Sequence, residues 1–163
     1  MTQRRADRQR SLGFTLIELI IALAIVALLA SVALPSFLDA LSKSRRTEAF
    51  NAITQVQQAQ ERWRSNNASY ADNLSSPPSD PSTPGLGLPA TTASGYYTVA
   101  LSGTSPTSYT VSAVAVSGSF QARDTACLKL AARVSGGQIS YAGCQSCSLE
   151  ASDFSNANAC WKR

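Results

Sequence analysis

Residues 14–34, FTLIELIIALAIVALLASVAL, form an apolar run interrupted only by Thr15, Glu18 and Ser31. As a helix rising ~1.5 Å per residue, the run spans roughly 30 Å, the thickness of a bilayer's hydrocarbon core. Pro35 lacks a backbone donor and is expected to kink or loosen the helix without ending it. Residues 36–76 then contain neither Gly nor Pro. Apolar side chains continue at helical spacing (Leu38, Leu41, Ala49, Ile53, Val56, Ala59, Trp63), with Lys43, Arg46, Asn51, Gln58, Glu61 and Arg62 on the opposite face. The pattern predicts one helix from about residue 14 to about residue 66, some 80 Å long at ~1.5 Å per residue. Its first half faces lipid or neighbouring helices, and its second half buries one stripe in a domain core.

The periodicity then stops. Residues 75–95, SSPPSDPSTPGLGLPATTASG, read as a surface connector that wraps the domain. Alternation follows. Tyr97, Val99 and Leu101 share one face of a strand over residues 96–101, and Tyr109, Val111 and Ala113 one face over residues 108–116. Leu128, Leu130, Ala132 and Val134 repeat the pattern, and Gly136-Gly137 turns the chain back into residues 138–141. Four antiparallel strands with one apolar face need a cover, which the helix stripe ending at Trp63 supplies. The expected class is α+β.

Charge refines this picture. Arg4, Arg5, Arg8 and Arg10 against Asp7 put most of the net charge of +4 ahead of the apolar run, and the remainder is nearly neutral. Arginines before the run and a long domain after it predict a cytoplasmic amino terminus and an exported carboxyl-terminal domain. The same distribution does not favour a nucleic-acid partner for the single subunit. There is no histidine, no glycine-rich phosphate loop and no informative pair of carboxylates, so no enzyme, cofactor or metal is expected. Cys127, Cys144, Cys147 and Cys160 are confined to the last part of the chain, which reads as disulfides in an oxidising compartment.

Glu18 decides how the apolar run is read, because a charge at the centre of a membrane helix costs about 2.5–3.5 kcal/mol on insertion scales. A conventional signal cleaved after Ser31-Val32-Ala33 would be too long. A plain single-pass anchor leaves the acid unexplained. The stretch GFTLIELIIALAIVALLASVALPSF, behind its basic leader, resembles the class III signal of type IV prepilins. The resemblance implies that residues 1–13 are a leader removed by prepilin peptidase between Gly13 and Phe14, that the new Phe14 amine is N-methylated, and that residues 14–35 anchor the precursor. Glu18 can then pair with the Phe14 amine of a neighbouring protomer and set the register of a polymer. Pairing with the amine of its own helix is the alternative.

The order of long helix, connector, sheet and closing tail is similar to the type IV pilin fold along nearly the whole chain. It implies an exported head over residues 36–163, made of helix (36–66), connector (67–95), sheet (96–143) and a disulfide-bounded region (127–160). In that family a disulfide fastens the tail to the sheet, and the matching positions are Cys127 and Cys160. Cys144 and Cys147 depart from the pattern. They fit a second short bridge, an exchanged connectivity with the outer cysteines, or a zinc or redox C-x-x-C site, for which the expected sheet gives no context. The sequon Asn67-Ala68-Ser69 leaves glycosylation undecided.

The expected function is that of a structural pilus subunit precursor, supporting adhesion, motility or DNA uptake as a filament. Its partners would be other pilins, the peptidase and the inner-membrane assembly machinery. It would be held in the inner membrane and then built into an extracellular pilus. Rivals are a minor pilin that primes or tunes assembly, a type II secretion pseudopilin, and a membrane-tethered DNA- or surface-binding module. The last requires exposed basic and aromatic residues in one cluster, which the linear sequence does not display.

Overall fold

The computed structural model describes residues 14–155 and 158–161. Gly13, the leader, and the terminal Lys162 and Arg163 lie outside the described residues. One helix, α1 (Leu16–Arg64), is followed by four strands: β1 (Tyr97–Ser102), β2 (Ser108–Ala115), β3 (Lys129–Ser135) and β4 (Gln138–Cys144). The chain divides into two compact units, Met1–Leu38 and Asp39–Arg163.

In the first unit, α1 opens on Thr15, whose Oγ1 accepts the Glu18 N–H at 3.3 Å and so satisfies one of the free donors of the first turn. The helix runs through Pro35 without a break. Ser31 and Ser36 donate their hydroxyls to the carbonyls of Leu28 and Ala33 on either side of the proline. Among the described residues of this unit every large apolar side chain is exposed, from Phe14 at 84% to Leu38 at 49%. The helix is long and apolar enough to cross a membrane. A helix apolar around its whole circumference gains nothing from water and is stable only against lipid or other helices.

In the second unit the sheet order is β1-β2-β3-β4, all antiparallel. Ala49, Phe50, Ile53, Val56 and Ala59 of α1 form one core with Tyr97 and Val99, Tyr109, Val111 and Ala113, and Leu130, Ala132 and Val134. These strand residues share one face because Val111 pairs with Ala132 and Leu101, and Ala132 pairs with Tyr141. Gly136 and Gly137, at φ 57° and 80°, make the β3–β4 turn in a conformation that other residues enter only with strain.

Two expectations need correcting. Arg46 does not lie on the solvated face of α1; it is only 7% exposed. The buried stripe runs Ser42, Arg46, Ala49, Ile53, Val56 and Gln60, so three of its members are polar and were invisible to an apolar pattern. The surface wrap expected over residues 75–95, in turn, is not complete, since Leu86 enters the core, and the connecting chain before it is anchored there as well through Ala71 and Leu74. Gln60 pins it there, its Nε2 donating to the Ala71 carbonyl at 2.8 Å and its Oε1 accepting the Ala71 N–H at 2.9 Å.

The tail folds back beside β4. Cys127 is bonded to Cys160 and Cys144 to Cys147. Trp161 stacks on Phe50 and tilts against Tyr141, with ring centroids 4.7 and 4.5 Å apart. Its Nε1 donates to the Ala142 carbonyl at 2.8 Å.

Candidate functional site

Two regions carry chemistry that packing alone does not require. In the first unit, Phe14 and Glu18 are both exposed at the start of the apolar helix. A carboxylate there has no compensating cation within ion-pair distance among the described residues. Pro35 lies downstream of them, near the end of the same unit.

The second region is the surface of the head. Its described basic and acidic side chains are equal in number, yet they are used differently. Glu48 accepts the Ser94 N–H, Asp80 accepts the Ser82 and Thr83 N–H groups, and Asp153 accepts the Glu150 N–H. Several arginines instead lie over aromatic rings. Arg64 sits 5.9 Å from the Tyr70 ring, Arg133 sits 5.0 Å from Phe154, and Arg45 sits 5.1 Å from Tyr96 and 5.4 Å from Phe120. Arg123 covers Phe120 as well, at 5.6 Å. A guanidinium over a ring keeps its charge and its outward N–H groups while losing freedom, so it is arranged in advance for an anionic partner.

The pairs fall at opposite ends of the head. Arg62, Arg64 and Tyr70 lie where α1 ends, next to the β1–β2 turn, to which the Tyr70 N–H is bonded through the Ser105 carbonyl at 3.2 Å. Tyr70 meets Tyr109 edge to face, and Tyr109 pairs with Val134 on the core face, while Arg133, one residue earlier in β3, points to the opposite face of the sheet. A groove of about 690 Å³ opens here, lined among others by Trp63, Asn67, Tyr70, Asn73 and Thr104. Burial, helped by the nearby Glu61 charge, raises the Tyr70 and Tyr109 phenols above their ordinary range. They act here as neutral rings and not as acids.

At the other end, Arg45 and Arg46 split. Arg46 Nε and Nη2 donate to the two Asp124 oxygens at 2.6 and 2.7 Å, buried on both sides. The hydrogen bond to Asp124 raises the guanidinium pKa against the opposing effect of burial. Gln121 Nε2 donates to Asp124 and to the Ser42 carbonyl, tying the 3₁₀ turn Phe120–Arg123 to α1. Sequence analysis placed Arg46 on the solvated face, and it missed Arg45, Phe120, Arg123 and Asp124. The available signal was a phenylalanine standing in the polar stretch SGSFQARD, outside any periodic segment.

Comparisons with known proteins follow the same division. Residues 8–34 match the family described as the prokaryotic N-terminal methylation motif. Residues 35–131 match the family described as type IV minor pilin ComP, DNA uptake sequence receptor. The chain is 41% identical over 75 residues to the type IV major pilin protein PilE1 of Neisseria gonorrhoeae, covering 42% of this chain and 44% of that protein. It is 50% identical over 44 residues to the fimbrial protein EcpC of Eikenella corrodens, covering 27% and 29%. It is 38% identical over 63 residues to the type IV major pilin protein PilA of Myxococcus xanthus, covering 39% and 29%. The matched stretches therefore span less than half the length of these relatives.

Proposed function

The chain belongs to the type IV pilin family that includes the minor pilin ComP, and on that premise we propose that it is a minor pilin whose head binds DNA. The observation that carries this reading is that the match to a DNA uptake receptor covers residues 35–131, the larger part of the head. The arginines at the far end of α1 supply a surface suited to it. Arg64, held over Tyr70, and the exposed Arg62 of the same turn of α1 meet phosphates, and Asn67 and Thr104 along the groove offer neutral donors and acceptors of the kind that read base edges. The near-neutral net charge that argued against nucleic acid is an average over separated groups.

Assembly is assigned to the first unit. Cleavage between Gly13 and Phe14 by prepilin peptidase frees the Phe14 amine, which is then methylated. An inner-membrane machine moves the helix from lipid into a bundle of similar helices. An unpaired Glu18 is strongly penalised in that dry setting, and the amine of an adjacent subunit neutralises it at one axial offset only. The exposed apolar helix and the N-terminal methylation match support this reading. The precursor is thus anchored in the inner membrane and the mature subunit belongs to the filament. A second reading, that of a major filament subunit, draws on the major pilins among the relatives.

DNA binding is tested with the full chain in zwitterionic nanodiscs, by the anisotropy of a labelled duplex titrated at several salt concentrations. The expected result is salt-sensitive binding, with the Arg62→Ala/Arg64→Ala variant weaker and its log–log salt slope shallower by about 2, near 0.9 per lost phosphate contact. An unchanged affinity and slope would contradict the assignment of these residues. No binding by the parent chain would contradict the DNA reading itself.

A further inference from the structure

At the end of the head where the chain enters it, Phe120 is 59% exposed, one of few large apolar side chains so placed in this unit. It lies under two guanidiniums, Arg45 and Arg123, with Tyr96 beneath the first. Neither guanidinium has a carboxylate within ion-pair distance among the described residues. Packing does not explain the group, because the buried Arg46–Asp124 pair and Gln121 already fix the turn to α1. Those bonds instead hold Phe120 and Arg123 facing outward.

We propose that Arg45, Tyr96, Phe120 and Arg123 form a docking patch for the anionic phospholipid headgroups of the membrane in which the precursor waits. An aromatic ring flanked by guanidiniums suits the headgroup layer, where the ring leaves water and each guanidinium meets a phosphate with paired N–H donors. Tethering favours lipid over other anions. Arg45 follows Leu34, the end of the apolar run, by eleven positions, so even a fully extended connection keeps it within about 40 Å of that point. The patch rests on residues 14–34 entering a bilayer and is independent of DNA binding at the opposite end of the head. It keeps the head pressed to the surface until extraction, and extraction has to break it.

The test is hydrogen exchange of the full chain in nanodiscs of phosphatidylcholine, with and without phosphatidylglycerol, read on peptides spanning residues 116–126. Two basic residues at an anionic surface shift the docked–undocked equilibrium on the order of thirtyfold. Exchange in this segment is therefore slower by up to that factor in the phosphatidylglycerol discs. Arg45→Gln/Arg123→Gln and, separately, Phe120→Ser remove the difference while the β2 and β3 amides stay protected, which shows that the variants are folded. Equal rates in both lipids overturn the proposal. So does protection that depends on the number of copies per disc, which assigns the patch to a second subunit, or protection produced only by added duplex DNA. Retention of the chain in both kinds of disc tests the membrane segment separately.

Discussion

At the level of single residues, the head depends on polar groups that its sequence hides inside an amphipathic stripe. Arg46 and Asp124 are both nearly excluded from water, so removing either leaves an uncompensated charge. Arg46→Ala or Asp124→Asn should each lower stability by about 3–5 kcal/mol, whereas the Arg46→Met/Asp124→Leu pair should recover much of the loss. Urea unfolding of the detergent-solubilised full chain, followed by near-ultraviolet circular dichroism, reads these differences. Tyr109 behaves in the opposite way. Its hydroxyl is buried with no hydrogen-bond partner among the described residues, so Tyr109→Phe should be neutral or stabilising by up to about 1 kcal/mol. Burial, with smaller contributions from Glu61 and Tyr70, raises its pKa above the usual value near 10. The folded state thus holds this proton more tightly. The stability it contributes is whole below about pH 10 and is lost as pH climbs toward the folded value. A pH series of unfolding midpoints should show an alkaline decline that is shallower in the Phe variant. Arg46 and Asp124 were illegible in the sequence for a physical reason, since a charge on a buried stripe looks like a charge on a solvated one until its partner, far along the chain, is known.

At the level of elements, most of the architecture was legible. Period-two alternation placed the four strands, the Gly136-Gly137 pair marked their last turn, and the apolar run with its amphipathic continuation marked α1. The connector was harder, because its anchor is one glutamine that imitates a backbone partner for Ala71. The tail depends on two closures of unequal size. Loop-closure entropy gives about 3–4 kcal/mol for Cys127–Cys160 and about 2 kcal/mol for Cys144–Cys147, so Cys127→Ser/Cys160→Ser should lower the thermal midpoint more than Cys144→Ser/Cys147→Ser. Gly143 provides a control. A methyl group there would overlap Cys160 and crowd Asn158, so Gly143→Ala should unseat the tail and change Trp161 fluorescence even with all four cysteines present.

At the level of the whole molecule, the chain joins a helix apolar around its whole circumference to a head with its own buried core, and the proposed polymerisation would resolve that mismatch. The Arg45–Phe120 and Arg64–Tyr70 surfaces were not legible because each joins residues from separate elements, and a formal charge count averages over them. The helix and the proposed processing site before it carry the strongest sequence signal, so they are best tested in the cell envelope. Mass spectrometry of sheared filaments, quantified against the most abundant pilin and read at the amino-terminal peptide, does this most directly. The chain should be present as a small minority that begins at N-methylated Phe14, and Glu18→Ala should leave the membrane-bound form processed while removing it from filaments. A chain in the envelope that retains Met1 to Gly13, or one that makes up the bulk of the filament, would contradict a processed minor pilin.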